Sequence, residues 1–189
     1  MIHLKLTIAY DGTGLVGWQR QAAGTSVQAL LEDALAPLEG APVAVAGAGR
    51  TDAGVHALGQ VAAFTLRRSL PAPGVMRALN ARLPSAIRIV GAEEVDASFH
   101  PRYGARRKIY RYRIWTGDVV SPFEHRYAWH ISEPLDIAAM QAAARLLEGR
   151  HDFAAFQSTG SDVVTTLCAR QKPHWHARIV HEDGSCFVR

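Results

Sequence analysis

Cysteine is almost absent from this chain, and one long stretch of it has no acidic residue at all. Cys168 and Cys186 are the only two cysteines, and they form no Cys-x-x-Cys pair. That argues against a disulfide framework or a structural zinc site, and it makes a reducing cytoplasm the expected compartment. Uninterrupted apolar runs of the roughly 18 residues that a membrane-crossing helix needs are also missing. The N-terminus alternates apolar and polar residues from Met1 onward and reads as a strand, not as a signal peptide. The glycines at 47, 49 and 54 do not give the Gly-x-Gly-x-x-Gly spacing of a dinucleotide fold, and Gly-Lys-Ser/Thr does not occur, which removes the phosphate-cradling P-loop from consideration. No internal repeat or low-complexity segment stands out.

What is present suits a globular protein of one or two domains: 189 residues, 48% hydrophobic and 20% charged. The net charge of +4 is mild, but its distribution is not. Between Asp96 and Asp118 there is no acid, while Arg102, Arg106, Arg107, Lys108, Arg111 and Arg113 all fall there. Cations without neighbouring acids suit phosphate contacts, and the alternative is a solvated basic strand.

Periodicity places the elements. Residues 3–10 alternate as a strand and end at Asp11-Gly12. A Gly-rich loop with Trp18, Gln19, Arg20 and Gln21 follows, and then a helix from about Ser26. Val27, Leu30, Leu31, Ala34, Leu35 and Leu38 form its apolar stripe, Thr25 or Ser26 caps its start, and Gly40 lies beyond its end. Residues 42–47 and 60–66 read as strands. Residues 73–83 read as a helix with Met76, Leu79 and Leu83 on one face, stopped by Pro84, and 87–90 begin a fourth strand. The order β-α-β-β-α-β predicts an α+β fold whose first subdomain, residues 1–100, is ferredoxin-like (RRM-like), with two helices on one sheet face. From 101 to 189 a second, related α/β subdomain is expected, with strands at 108–115 and 127–131 and a helix at 137–147. In that helix Ile137, Met140, Ala144 and Leu147 would face the core and Gly149 would suit the cap, and a further strand is expected at 174–180. His174 and His176 would share a face of that strand, but no other ligand falls at a suitable spacing, so no metal site is expected.

Between the second and third strands lies Gly47-Ala-Gly-Arg-Thr-Asp-Ala-Gly-Val-His56. Three glycines let its backbone approach a ligand closely, and it also carries a cation, a carboxylate and an imidazole. One reading is a structural turn in which Asp52 bonds nearby amides. Another is a reactive carboxylate. In a locally extended loop Arg50 would point the same way as Asp52, either to keep it ionised and fill the gap left by an extruded base, or as a plain ion pair. His56 either contacts phosphate or caps the loop.

The string GRTDAGVHALGQVAAF at residues 49–64 resembles the active-site segment of the TruA family of tRNA pseudouridine synthases. Further segments match that family in order: YDGTGLVGWQRQ at 10–21, SVQ at 26–28, NARLP at 80–84, FHPRYGARRKIYRY at 99–112 and HDFAAF at 151–156. The resemblance implies isomerisation of uridine to pseudouridine in the tRNA anticodon stem-loop, at tRNA positions 38–40, by a cytoplasmic homodimer that needs no metal or cofactor. Asp52 takes the place of the family's catalytic aspartate, as nucleophile or as base, with Arg50 beside it. Tyr110 takes that of the tyrosine stacked on the target uracil, leaving Tyr112 for packing. Without the resemblance the two tyrosines would be equal candidates for the core. Arg20, His56, Arg102, Arg106 and Arg107 are the expected RNA contacts.

The likeness weakens toward the C-terminus. After Thr165-Thr166 the family usually has Val-Arg, whereas this chain reads Leu-Cys-Ala-Arg-Gln-Lys-Pro. It also ends at Arg189, before the family's later Met-Val-Arg segment. The second subdomain is therefore expected to be incomplete, and the alternative function is a truncated tRNA-binding fragment without isomerase activity.

Overall fold

Alternation along the first strand decides which side of the sheet becomes the core. In this computed structural model, which describes residues 1–156, 167–169 and 185–188, β1 spans Ile2–Tyr10 and buries Leu4, Leu6, Ile8 and Tyr10 on one face. It pairs antiparallel with β3 (Ala57–Leu66) on one side and with β4 (Ile87–Glu94) on the other. The two-residue β2 (Ala46–Gly47) adds to β3, giving the order β2-β3-β1-β4.

Two helices cover the apolar face. Helix α1 (Val27–Glu39) buries Val27, Leu31, Ala34 and Leu35, and helix α2 (Ala72–Arg82) buries Val75 and Leu79, all in one cluster with the β1 residues. The start of α1 is fixed by Ser26, whose buried hydroxyl accepts from the Ala29 amide at 3.2 Å. Its end is fixed by Gly40, left-handed at φ 79°. On α2 the chain reaches Leu83 and turns extended before Pro84. Neither of these two helices lies on the opposite sheet face. The chain beyond β4 returns toward it instead: Phe99 lies under the Lys5 ammonium at 5.8 Å, and its carbonyl meets His3 Nε2 at 3.1 Å.

The second expected strand is shorter than its sequence suggests. Val43 and Val45 are buried, yet only residues 46–47 enter the ladder. The Val45 amide and carbonyl are taken by the side chains of Glu32 and Gln28, so helix α1 supplies the bonds a neighbouring strand would otherwise give.

The chain divides into two compact units, Met1–Lys108 and Ile109–Arg189. In the second, β5 (Tyr112–Trp115) pairs in parallel with β6 (Trp129–His130) and antiparallel with β9 (Ser185–Val188). A separate pair joins β7 (Arg150–Asp152) to β8 (Leu167–Ala169). Helix α3 (Ile137–Leu146) is capped by Asp136, which accepts from the Ala139 amide at 2.9 Å.

Three expectations for this unit need correction. Residues 108–111 are not strand: they follow directly on Arg106 and Arg107, are exposed and pair with no strand among the described residues, so the strand begins only at Tyr112. Tyr112 is not a packing residue; it is 66% exposed, and on β5 the buried side chain is Ile114. Helix α3 buries none of its residues among those described, so Ile137, Met140, Ala144 and Leu147 do not face a core there, and its cap falls at Leu147, with Gly149 two residues beyond. The strand expected at 174–180, with His174 and His176, lies outside the described residues. Among the described residues no helix is long and apolar enough to cross a membrane.

Candidate active site

Two loops meet at the end of the first sheet. One, residues 11–21, leaves β1; the other, residues 47–56, joins β2 to β3. Glycines let them touch backbone to backbone. A Cβ on Gly12 would collide with the carbonyl of Val55, and one on Gly17, left-handed at φ 103°, with the carbonyl of Thr51. Trp18 lies 3% exposed against Gly47, where a Cβ would stand 2.5 Å from the indole ring. Large aromatic and missing side chain are thus two halves of one fit.

Hydrogen bonds lock the same contact. The Trp18 amide donates to the Thr51 carbonyl at 3.0 Å, and the Gly54 amide to the Leu15 carbonyl at 3.2 Å. The Tyr10 and Thr51 hydroxyls share a bond of 2.9 Å, and Gln60 Nε2 donates to the Gly49 carbonyl at 2.7 Å. Burial raises the Tyr10 phenol above its ordinary pKa, against the lesser effect of its bonds to Thr51 and Gln60, so it stays neutral.

Asp52 follows Thr51 directly. Its carbonyl accepts from the Val55 amide at 3.2 Å, which closes a tight turn, while its side chain is exposed. Among the described residues the carboxylate accepts no hydrogen bond and joins no ion pair, so the turn is held without it. A structural aspartate in such a loop would cap amides; this one faces solvent on a fixed backbone. Arg50 is exposed beside it and does not form the ion pair that was its plainer reading.

His56 is placed as a tie between the loops. Its Nδ1 lies 3.1 Å from the Gly12 amide and 3.0 Å from an Asp11 carboxylate oxygen. One nitrogen cannot serve both at once: neutral with a lone pair it accepts from Gly12, and protonated it donates to Asp11. Arg20 is likewise engaged, with Nε 2.8 Å from Glu32 and Nη2 2.8 Å from Asp33. Asp33 first, and then Glu32, raises the guanidinium's pKa above its ordinary value.

The basic stretch is open. Arg102, Arg106 and Arg107 are exposed and have no acidic partner among the described residues. Tyr110 is 70% exposed and opens the second unit with Ile109. Sequence reasoning passed over Lys108 as a site residue. Its ammonium lies where a Cβ on Gly49 would be 3.2 Å away, which brings a cation over the loop that carries Asp52. It also passed over Tyr10, Trp18, Thr51 and Gln60. The aromatic and glycine pairing of Trp18 with Gly47 leaves no periodic trace in a sequence. Among the described residues no cluster of His, Cys, Asp or Glu could hold a metal.

Comparison with known proteins follows the same segments. Residues 6–104 match the family model described as tRNA pseudouridine synthase. Among curated proteins, tRNA pseudouridine synthase A of Solibacter usitatus is 44% identical over 196 residues, covering 100% of this chain and 82% of that protein. The Pelobacter propionicus enzyme of that name is 49% identical over 87% of this chain and 67% of its own length. For the one from Myxococcus xanthus the identity is 49%, over 84% of this chain and 60% of the relative.

Proposed function

This chain belongs to the tRNA pseudouridine synthase family, and from that premise we propose that it isomerises uridine to pseudouridine in the anticodon stem-loop of tRNA, with Asp52 as the catalytic carboxylate. The observation that carries the assignment to Asp52 is an exposed carboxylate that its own loop does not use, on a backbone held from both sides.

The reaction conserves every heavy atom of the nucleoside. The bond from ribose C1′ to uracil N1 breaks, the base turns, and C1′ is joined to C5. C5 loses its proton to solvent and N1 gains one, so no electrons enter or leave. A carboxylate at the sugar is the reactive group this requires, as nucleophile or as base.

A uridine in a stem must leave the helix first, and an aromatic face replaces the stacking it loses. Tyr110, exposed and without a role in packing, suits that task, and Arg50 suits the gap left behind. Arg102, Arg106 and Arg107 are read as phosphate contacts that position the RNA, with His56 as a further candidate. The exposure of the three arginines and their lack of acidic partners among the described residues support this. The antiparallel order β2-β3-β1-β4, with both helices on one face, supports a ferredoxin-like layout for the first unit. A homodimer acting in the cytoplasm completes the reading.

Transcribed tRNA carrying tritium at uracil C5 provides the test. Tritium should pass to water, and should stay in the RNA when uridines 38–40 are replaced by cytidine. Release that survives those replacements would move the target elsewhere. RNA bound without any release would make the chain a tRNA-binding protein and not an isomerase.

A further inference from the structure

We propose that Arg20, Gln28 and Glu32 form a clamp that positions Asp52, so that Arg20 acts on the reaction through the loop and not as a contact to the phosphate backbone. The proposal rests on the isomerase reading above.

Gln28 and Glu32 stand four residues apart on one face of α1. Each spends both of its polar atoms on the same two residues. Gln28 accepts from the Arg20 amide through Oε1 at 2.9 Å and donates to the Val45 carbonyl through Nε2 at 2.9 Å. Glu32 accepts from Arg20 Nε through Oε2 at 2.8 Å and from the Val45 amide through Oε1 at 3.2 Å. Arg20 Nη2 adds bonds to Asp33 at 2.8 Å and to the Ala29 carbonyl at 3.2 Å.

The two clamped residues lead to one place. Two residues before Arg20 is Trp18, whose amide holds the Thr51 carbonyl, and two residues after Val45 is Gly47, against which the Trp18 indole lies. The Val27 amide bonds the Gly17 carbonyl at 3.1 Å and the Gln28 amide that of Trp18 at 2.9 Å, so α1 grips this loop by its backbone as well. Thr51 is the residue before Asp52. Helix, first loop and strand entry therefore converge on the peptide that carries the carboxylate.

Charge also argues against phosphate binding by Arg20. The guanidinium faces two carboxylates, so its immediate surroundings are net negative, and a phosphate would have to displace Glu32 or Asp33. Arg106 and Arg107 have no such competitors among the described residues.

The test is single-turnover isomerisation at saturating tRNA, with tRNA affinity measured across a salt series, for Arg20→Gln, Glu32→Gln, the double variant and Asp52→Ala. Each clamp variant should lower the saturated rate by about tenfold or more, since small displacements of a reacting group are costly. Affinity and its salt slope should stay within about twofold, and the double variant should be no slower than the worse single, as expected of one coupled unit. Arg20→Lys, which keeps the charge and one donor, should recover part of the rate. Glu32 is mostly buried, so if Glu32→Gln folds poorly, Gln28→Ala takes its place, because it removes two bonds and strands no charge. Weakened affinity and a flatter salt slope for Arg20→Gln, with the saturated rate intact, would make Arg20 a phosphate contact and overturn the proposal. Clamp variants at wild-type rate beside a dead Asp52→Ala would overturn the clamp alone, whereas an active Asp52→Ala would overturn the site on which it rests.

Discussion

Tyr110 and Tyr112 would share a face if residues 108–115 formed one strand, and that alternation is what makes them look equivalent. The strand starts at Tyr112, so the equivalence goes. Both are exposed, at 70% and 66%, and the packed residue is Ile114 at 5%. For Tyr110→Ala the saturated isomerisation rate should fall more than tRNA affinity does, because a base–aromatic contact is worth about 1–3 kcal/mol and is used on the extruded uracil. Tyr110→Phe keeps the ring face and should keep most of the rate. Tyr112→Ala should leave stability within about 0.5 kcal/mol, as surface substitutions do, while Ile114→Ala should cost about 2–5 kcal/mol. Melting temperature and single-turnover rate of the four variants check this together. A Tyr112→Ala variant that melts early, beside an Ile114→Ala variant that does not, would reverse the assignment.

At the scale of elements, much was legible because local chemistry and packing agree. The stripe of α1, its cap at Ser26 and its stop at Gly40 all follow from spacing, and the structure places each where spacing does. What was not legible depends on contacts between segments distant in sequence. Residues 42–45 look like strand, yet Gln28 and Glu32 reach across from the helix and take the Val45 backbone. The interlocked loops are of the same kind: only the pairing of Gly12 with Val55 and of Gly17 with Thr51 explains why those glycines stand there. Two substitutions separate this fit from mere backbone freedom. Gly14 and Gly17 are both left-handed, at φ 76° and 103°, but a Cβ on Gly14 meets nothing within 4 Å. Gly14→Ala should therefore cost only the left-handed penalty of about 1–2 kcal/mol and leave the rate near wild type. Gly17→Ala must push Thr51, and Asp52 with it, so its rate should drop by about a hundredfold. Equal rates for the two variants, measured below their melting ranges, would mean that the loop contact does not position the carboxylate.

For the whole molecule, the first unit was readable in its two helices and three long strands, because these bury a single shared core. The second was not. Between Ile109 and Gly149 Ile114 alone is buried, so periodicity in α3 has no packed face to report, and the stripe through Ile137, Met140, Ala144 and Leu147 misleads. The site divides in the same way. Asp52 was legible from its motif, while the way Tyr10, Trp18 and Gln60 close on Thr51 and its loop was not, because it depends on contacts between segments distant in sequence.

The most direct test of the account as a whole is the rate of pseudouridine formation by Asp52→Asn and Asp52→Ala, measured by tritium release alongside tRNA affinity. Because the carboxylate supports no hydrogen bond in its own loop among the described residues, both variants should fold as the wild type does. Phosphate contacts supply most of the binding, so affinity should stay within a few-fold. The rate should fall by at least about a thousandfold, within the range for loss of a general acid or base. Near wild-type release of tritium by either variant would contradict the assignment of Asp52 as the catalytic residue.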